Sequence, residues 1–194
     1  AGQTSLVAGR PNDAGYKDGA SRTAQFNVPI SITIDNDDQF LYVADRDNNA
    51  IRKVRISDGQ VTTVTGNPSR AGYLDGRLAD AYLNLPVKVY YNQGNVYFAE
   101  AGTQMIRVAD LTDGAVKLVA GDNNRGFTNG DRDNTQFDEP VGIVRKGNNL
   151  LVADSQNDLI RKIDLGDGTS IPYTDPAATI SIVSPASNKV AGSS

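Results

Sequence analysis

The chain has 194 residues with 39% apolar content, enough for one core in one domain or two small ones, and its 23 acidic against 19 basic side chains leave a net charge of −4. That balance argues against nucleic acid, which needs concentrated positive charge, and no apolar run approaches the roughly 18 residues required to span a bilayer. Histidine and cysteine are both absent, which removes Cys/His zinc sites, Ser-His-Asp triads, Cys-His dyads, histidine bases and every disulfide.

The predicted elements form three copies of one pattern. Equivalent glycines are Gly9, Gly66 and Gly121, equivalent prolines are Pro29, Pro86 and Pro140, and equivalent arginines are Arg52, Arg107 and Arg161, spaced by 54 to 57 residues. The chain begins with "AGQTS", read as a mature form left after secretory cleavage, and "TSLVAG" 4–9 matches a fourth strand that lacks a blade of its own and should complete a blade in another part of the assembly.

In the first copy, strands are predicted over 28–34 ("VPISITI"), 40–44 ("FLYVA"), 50–56 ("AIRKVRI") and 60–65 ("QVTTVT"), with Asp58-Gly59 as the last hairpin turn. The second copy repeats them over 85–91, 95–99, 105–111 and 115–120, with the turn at Asp113-Gly114. The third gives 140–146, 150–153, 159–165 and, more weakly, 169–174 after Asp167-Gly168; "ATISIV" 178–183 is a spare strand, followed by a Ser/Ala/Pro tail. Between the copies, "SRTAQF" 21–26 and "LADAYL" 78–83 each suit a turn or so of helix. The copies run about 5–65, 66–120 and 121–174, with 175–194 as strand and tail.

The second strand of each copy is apolar on both sides, so both faces of each sheet must be covered. Four-stranded antiparallel sheets covered by like neighbours are the blades of an all-β propeller. Three blades are an incomplete ring, since propellers close with about four to eight. Two chains sharing a six-bladed ring, a piece of a longer propeller, and a filament of open arrays each resolve the shortfall, and exposed faces and edges favour self-association.

"DRDNNAIRKV" 45–54 has the alternating oxygens of a calcium loop, but the glycine and glutamate of such a loop are Ala50 and Ile56 here. Its repeat context gives a simpler reading. Asp45, Glu100 and Asp154 each end a second strand, seven residues before Arg52, Arg107 and Arg161 on the third, so each hairpin should carry an ion pair. The loops leading to the prolines repeat Tyr16, Tyr73 and Phe127 after a glycine, and Asp18-Gly19, Asp75-Gly76 and Asn129-Gly130 after those; features present in every copy serve the scaffold before they serve a ligand. The third loop alone concentrates Asp122, Asp131, Asp133, Asp138 and Glu139, hard-oxygen groups that suit calcium, with a solvated acidic surface as the plainer reading. Asp131 and Glu139 are the carboxylate pair a hydrolytic alternative would use. No nucleophile elbow or phosphate-cradling loop accompanies them.

The pattern Ala-Gly, Gly-Tyr-x-Asp-Gly, Ala-x-Phe-x-x-Pro, Tyr-Val-Ala-Asp and Asn-x-x-Ile-Arg-Lys resembles the NHL repeat, a propeller blade type, over about 5–165. The step that names the family is replaced by Asn48-Asn49-Ala50, Thr103-Gln104-Met105 and Asn157-Asp158-Leu159. The resemblance implies scaffolds, ligand-binding ectodomains and a few enzymes. Amidating-lyase members use histidines on zinc, so that chemistry does not transfer to a chain without histidine. The expectation is an extracellular, non-catalytic binding or structural protein without a cofactor. Its partner is itself or another protein; its aromatic and acidic loop residues form the binding surface.

Overall fold

The computed structural model describes residues 2–166 and the strand Ile180–Ile182. Blade one is β1 (Pro29–Ile34), β2 (Phe40–Asp45), β3 (Ala50–Arg55) and β4 (Val61–Gly66), paired antiparallel in sequence order. Blade two is β6 (Pro86–Asn92), β7 (Asn95–Glu100), β8 (Met105–Asp110) and β9 (Ala115–Ala120), with the two-residue β5 (Gly76–Arg77) added outside β9. Blade three is β10 (Pro140–Lys146), β11 (Asn149–Asp154), β12 (Leu159–Asp164) and β13 (Ile180–Ile182). No helix among the described residues is long and apolar enough to cross a membrane.

Two expectations change. Residues 4–9 form no strand; Gly9 N–H donates to the Ser21 carbonyl and the Ser21 hydroxyl to the Val7 carbonyl, which fastens this segment as coil over blade one. The 178–183 stretch is not spare, because β13 pairs with β12 where a fourth strand belongs. The 169–174 segment assigned to that place lies outside the described residues. The two stretches between copies each close a single turn, through Ala24 N–H to the Ala20 carbonyl and Ala81 N–H to the Arg77 carbonyl.

Local chemistry explains the repeated strand ends. Gly59 and Gly114 take φ of 69° and 70° at the outer hairpins, where a side chain would be strained. Each inner strand starts at its proline with a register shift against the second strand, as the missing proline N–H demands.

Alternation along the strands gives each blade a leading and a trailing face. At the first junction Tyr42, Ala44 and Ile51 of blade one trail onto Val89, Val96 and Phe98 of blade two. At the second, Tyr97, Ala99 and Ile106 trail onto Ile143, Leu150 and Val152. Tyr42 stacks on Tyr91 across the first junction, ring centroids 5.3 Å apart and nearly parallel. Two polar links accompany these cores. Leu85 N–H donates to Asn49 Oδ1 at 2.8 Å and Glu139 N–H to Gln104 Oε1 at 2.7 Å. The donors precede the buried prolines Pro86 and Pro140; the acceptors sit at left-handed positions in the turn after the second strand of the preceding blade.

This linkage makes Gln104 a junction residue. Gln104→Ala leaves the Glu139 N–H without its acceptor and should lower unfolding free energy by about 1–3 kcal/mol, read from urea denaturation; an unchanged midpoint would remove the link from the account.

Candidate binding rim

The start of the first strand, the end of the second, the start of the third and the end of the fourth lie at one end of every sheet, as the pairs Pro29–Asp45 and Ala50–Gly66 place them in blade one. The loops joining blades fold over that end. The second-strand acids, the repeated arginines and the loop groups bound to them therefore lie toward one end of each sheet, while part of each of the first two loops runs down the outer strand, where Gly19 pairs with Val61 and Gly76 with Val116.

Beneath the rim, each repeated arginine is fully buried and bound by groups that the loop delivers. Arg52 donates to Asp45 at 2.6 Å, to Asp18 at 2.6 Å and to the Gln25 carbonyl, with Tyr16 and Phe26 against its guanidinium. Arg107 donates to Asp75 through Nε and a terminal nitrogen, to Glu100 at 3.2 Å, and to the carbonyls of Tyr82 and Leu74. Arg161 donates to Asp154 at 2.9 Å, to Asn129 Oδ1 at 2.7 Å, and to the carbonyls of Gln136 and Thr128. The second-strand acids are satisfied from the loop as well. Asp45 accepts Asn27 N–H, Glu100 accepts Asn84 N–H and Asp154 accepts Asp138 N–H, each at 2.7 Å.

Asp18 and Asp75 complete the clamp. Each also accepts a backbone N–H from its blade's fourth strand, Thr63 and Leu118 respectively, so one carboxylate joins loop, arginine and outer strand. The recurring Asp-Gly and Asn-Gly steps were the sequence signal for this partner. Its role required the fold, because more than thirty residues separate each such side chain from its arginine. In blade three the corresponding group is the neutral Asn129, and among the described residues the Nε of Arg161, like that of Arg52, has no partner.

The aromatic positions divide. Tyr16 is half-buried, its hydroxyl directed to the Gly66 carbonyl and its ring against Arg52. Tyr73 and Phe127 are 54% and 69% exposed, and Leu74 beside Tyr73 is exposed too. Two adjacent blades thus present large apolar side chains at one repeat position.

The acids of the third loop are spread over separate partners. Asp138 and Glu139 both bind Arg125, Asp133 pairs with Arg132, and Asp122 accepts from Gln136 Nε2 and Asn124 N–H. Asp131 is exposed and contributes its backbone carbonyl to the Thr135 hydroxyl. Among the described residues, no three acids converge as a metal site. The carboxylate of Glu139 faces Arg125 and Gln156.

Electrostatics distinguish the clamps. Burial pushes the Glu100 carboxyl above its ordinary 4.5, and donation from Arg107, Asn84 and Thr103 recovers only part of that cost. Burial also lifts the Asp45 carboxyl, against donors from Asn48, Asn27 and Arg52.

Folded Glu100 therefore holds its proton to higher pH than unfolded Glu100. Between 4.5 and the folded value, folding takes up a proton, so this group adds stability as pH falls through that window and none further below it. Denaturation of wild type and Glu100→Gln across pH 7 to 4 should show the difference moving in favour of wild type on acidification; a flat or reversed trend would refute the assignment. Asn129→Asp supplies the carboxylate present in the other two clamps and should raise stability by about 0.5–1.5 kcal/mol, read as a higher melting temperature.

No protein-family model matches the chain. It is 32% identical over 170 residues to the chloroplastic protein SUPPRESSOR OF QUENCHING 1 of Arabidopsis thaliana, covering 84% of this chain and 16% of that protein. It is 28% identical over 195 residues to NHL repeat-containing protein 2 of Homo sapiens, covering 86% of this chain and 26% of that one. Among solved structures, an auxiliary nutrient binding protein from Bacteroides ovatus superposes with a TM-score of 0.63 at 20% identity, over 73% of this chain and 38% of the other. The chain thus spans 16% and 26% of the length of these two curated relatives and 38% of the Bacteroides ovatus chain. Its three repeated four-stranded antiparallel blades are those of a β-propeller, and its sequence is similar to that of NHL repeat-containing protein 2.

Proposed function

We propose that this chain is a non-catalytic binding scaffold that engages other proteins through its rim and self-assembles through its outer blades. The observation that carries the reading is how the side chains are divided. The carboxylates that end each second strand are held in buried clamps with arginine, and the acids of the third loop face Arg125, Arg132 and Gln136. Tyr73, Leu74 and Phe127, by contrast, stand in solvent on loops already anchored from beneath.

Exposed aromatics on a rigid base are good protein anchors, because they bury large area at low conformational cost. The similarity to a nutrient-binding protein agrees with a binding role, and NHL repeat-containing relatives agree with a scaffold. The Glu139 carboxylate is taken up by Arg125 and Gln156, which supports the scaffold reading over a hydrolytic pair with Asp131.

Peptides selected from a displayed library on the wild-type chain should lose binding by about 30-fold or more against Tyr73→Ala/Phe127→Ala. They should bind Asp131→Asn/Glu139→Gln within about 3-fold of wild type. Selected peptides that ignore the aromatic change would sink the rim as the binding surface.

A further inference from the structure

The two outer faces of this three-blade array are the two halves of a contact the chain already makes twice. At both internal junctions a trailing face with a tyrosine, an alanine and an isoleucine covers a leading apolar face, and a pre-proline N–H meets a side-chain oxygen across the seam. The trailing face of blade three presents Leu151, Ala153 and Ile160 at the places of Tyr42, Ala44 and Ile51. Ile160 is 51% exposed, where Ile51 and Ile106 are fully buried. A shallow hollow of about 290 Å³ on this face is lined by Val144, Leu151 and Ile160 among others.

The leading face of blade one is its counterpart. Ile32, Leu41 and Val43 stand where Val89, Val96 and Phe98 pack at the first junction, and Ile32 is 62% exposed where Val89 is buried. The polar link is split in the same way. Val28 is the pre-proline residue of blade one and holds φ of 55°, as Leu85 and Glu139 hold 51° and 53°. Asp158 is the left-handed turn residue of blade three, at φ 56°, where Asn49 and Gln104 hold 48° and 57°. Neither the Val28 N–H nor the Asp158 carboxylate has a hydrogen-bond partner among the described residues. Pro29 is exposed, whereas Pro86 and Pro140 are buried.

A left-handed conformation is costly for a β-branched residue before proline, about 1–3 kcal/mol, and at the other two junctions the same conformation aims the N–H across the seam. Blade one therefore keeps a junction donor in position with no acceptor among the described residues.

We infer that a second copy of this chain docks head to tail, the trailing face of blade three on the leading face of blade one, with Val28 N–H donating to the Asp158 carboxylate. The partner's chemistry is set by continuity with the internal junctions: an apolar face of the same residue types, plus an acceptor at the same position. Repeating the internal step brings two copies to six blades, within the range at which propellers close, so the assembly is a two-chain ring with two equivalent heterologous junctions. This inference rests on the scaffold reading only for its premise that outer blades assemble; rim binding is measured separately.

The test is solution mass by light scattering on the full chain. Twice the 20.6 kDa chain mass is expected for wild type. Ile32→Asp and Ile160→Asp place a charge on one face each, at exposed positions, and each alone should give monomer with an unchanged circular dichroism spectrum. Mixed in equal amounts they should recover a dimer, because the intact trailing face of the first meets the intact leading face of the second. Asp158→Ala should raise the dissociation constant about 100-fold, one charge-assisted bond being lost at each of two junctions, while Asp158→Asn, which keeps the acceptor used by Asn49, should change it by less than about 10-fold. Recovery absent from the mixture overturns the head-to-tail pairing, and one variant that stays dimeric while the other is monomeric overturns it in favour of like-face contact. Masses that grow with concentration overturn the closed ring in favour of an open filament. A wild type that stays monomeric overturns the docking outright, and leaves the rim reading standing wherever the aromatic variant still abolishes peptide binding.

Discussion

The constraint beneath everything else is that each sheet is apolar on both faces. β2, β7 and β11 run Phe-Leu-Tyr-Val-Ala-Asp, Asn-Val-Tyr-Phe-Ala-Glu and Asn-Leu-Leu-Val-Ala-Asp, so whichever way a side chain points it meets a place that must be dry. Such a sheet is stable only between neighbours. Burying a valine, leucine or isoleucine side chain contributes about 1.5–3 kcal/mol, and each junction buries several on either side. The single hydrogen bond from a pre-proline N–H contributes about 1 kcal/mol. Apolar burial therefore drives blades together, and the polar link sets the register in which they meet.

The arginine clamps solve a different problem. A propeller blade is made of short-range hairpins, and nothing in a hairpin ladder fixes the long loop that brings the chain to the next blade. One guanidinium can address several acceptors at fixed angles, so Arg107 gathers Asp75, Glu100 and the carbonyls of Tyr82 and Leu74 at a single point. Burial of that charge carries a desolvation cost, offset here by saturation with partners. Blade three is the least complete case: Asn129 leaves Arg161 with one carboxylate where Arg52 and Arg107 have two.

The strands of blades one and two and the first three of blade three were legible because period, turn residues and repetition agreed, and their observed bounds fall within a residue or so of those read from the pattern. The weak period of the third copy's end misplaced its fourth strand, and the two-residue Gly76–Arg77 strand gave no signal. The spacing of Asp45 and Arg52 pointed to a hairpin contact because seven residues around one turn constrain geometry strongly. Asp18 escaped as an arginine partner because a loop of that length has no intrinsic geometry. It showed only as a repeated residue. The N-terminal "TSLVAG" matched the fourth strand of the repeat, yet a strand needs a neighbouring edge, and within the single chain the hydrogen bonds from Gly9 and to Val7 hold this segment as coil. Asn49 and Gln104 gave no warning of their junction role, since the sequence step they occupy is shared in position and not in residue type.

The same loops thus do two jobs on opposite sides. Their inner side feeds carbonyls and carboxylates to an arginine; their outer side carries Tyr73, Leu74 and Phe127. Two aromatic side chains bury about 150–250 Å² each, well short of the roughly 800 Å² that a stable interface takes from one partner. A partner held durably at the rim must then extend across neighbouring loops, over the Arg125, Asp138 and Glu139 group of blade three, where charge would set its orientation. Because the clamps below do not use these outer side chains, the proposed binding surface can change residue by residue while the blades that support it stay the same.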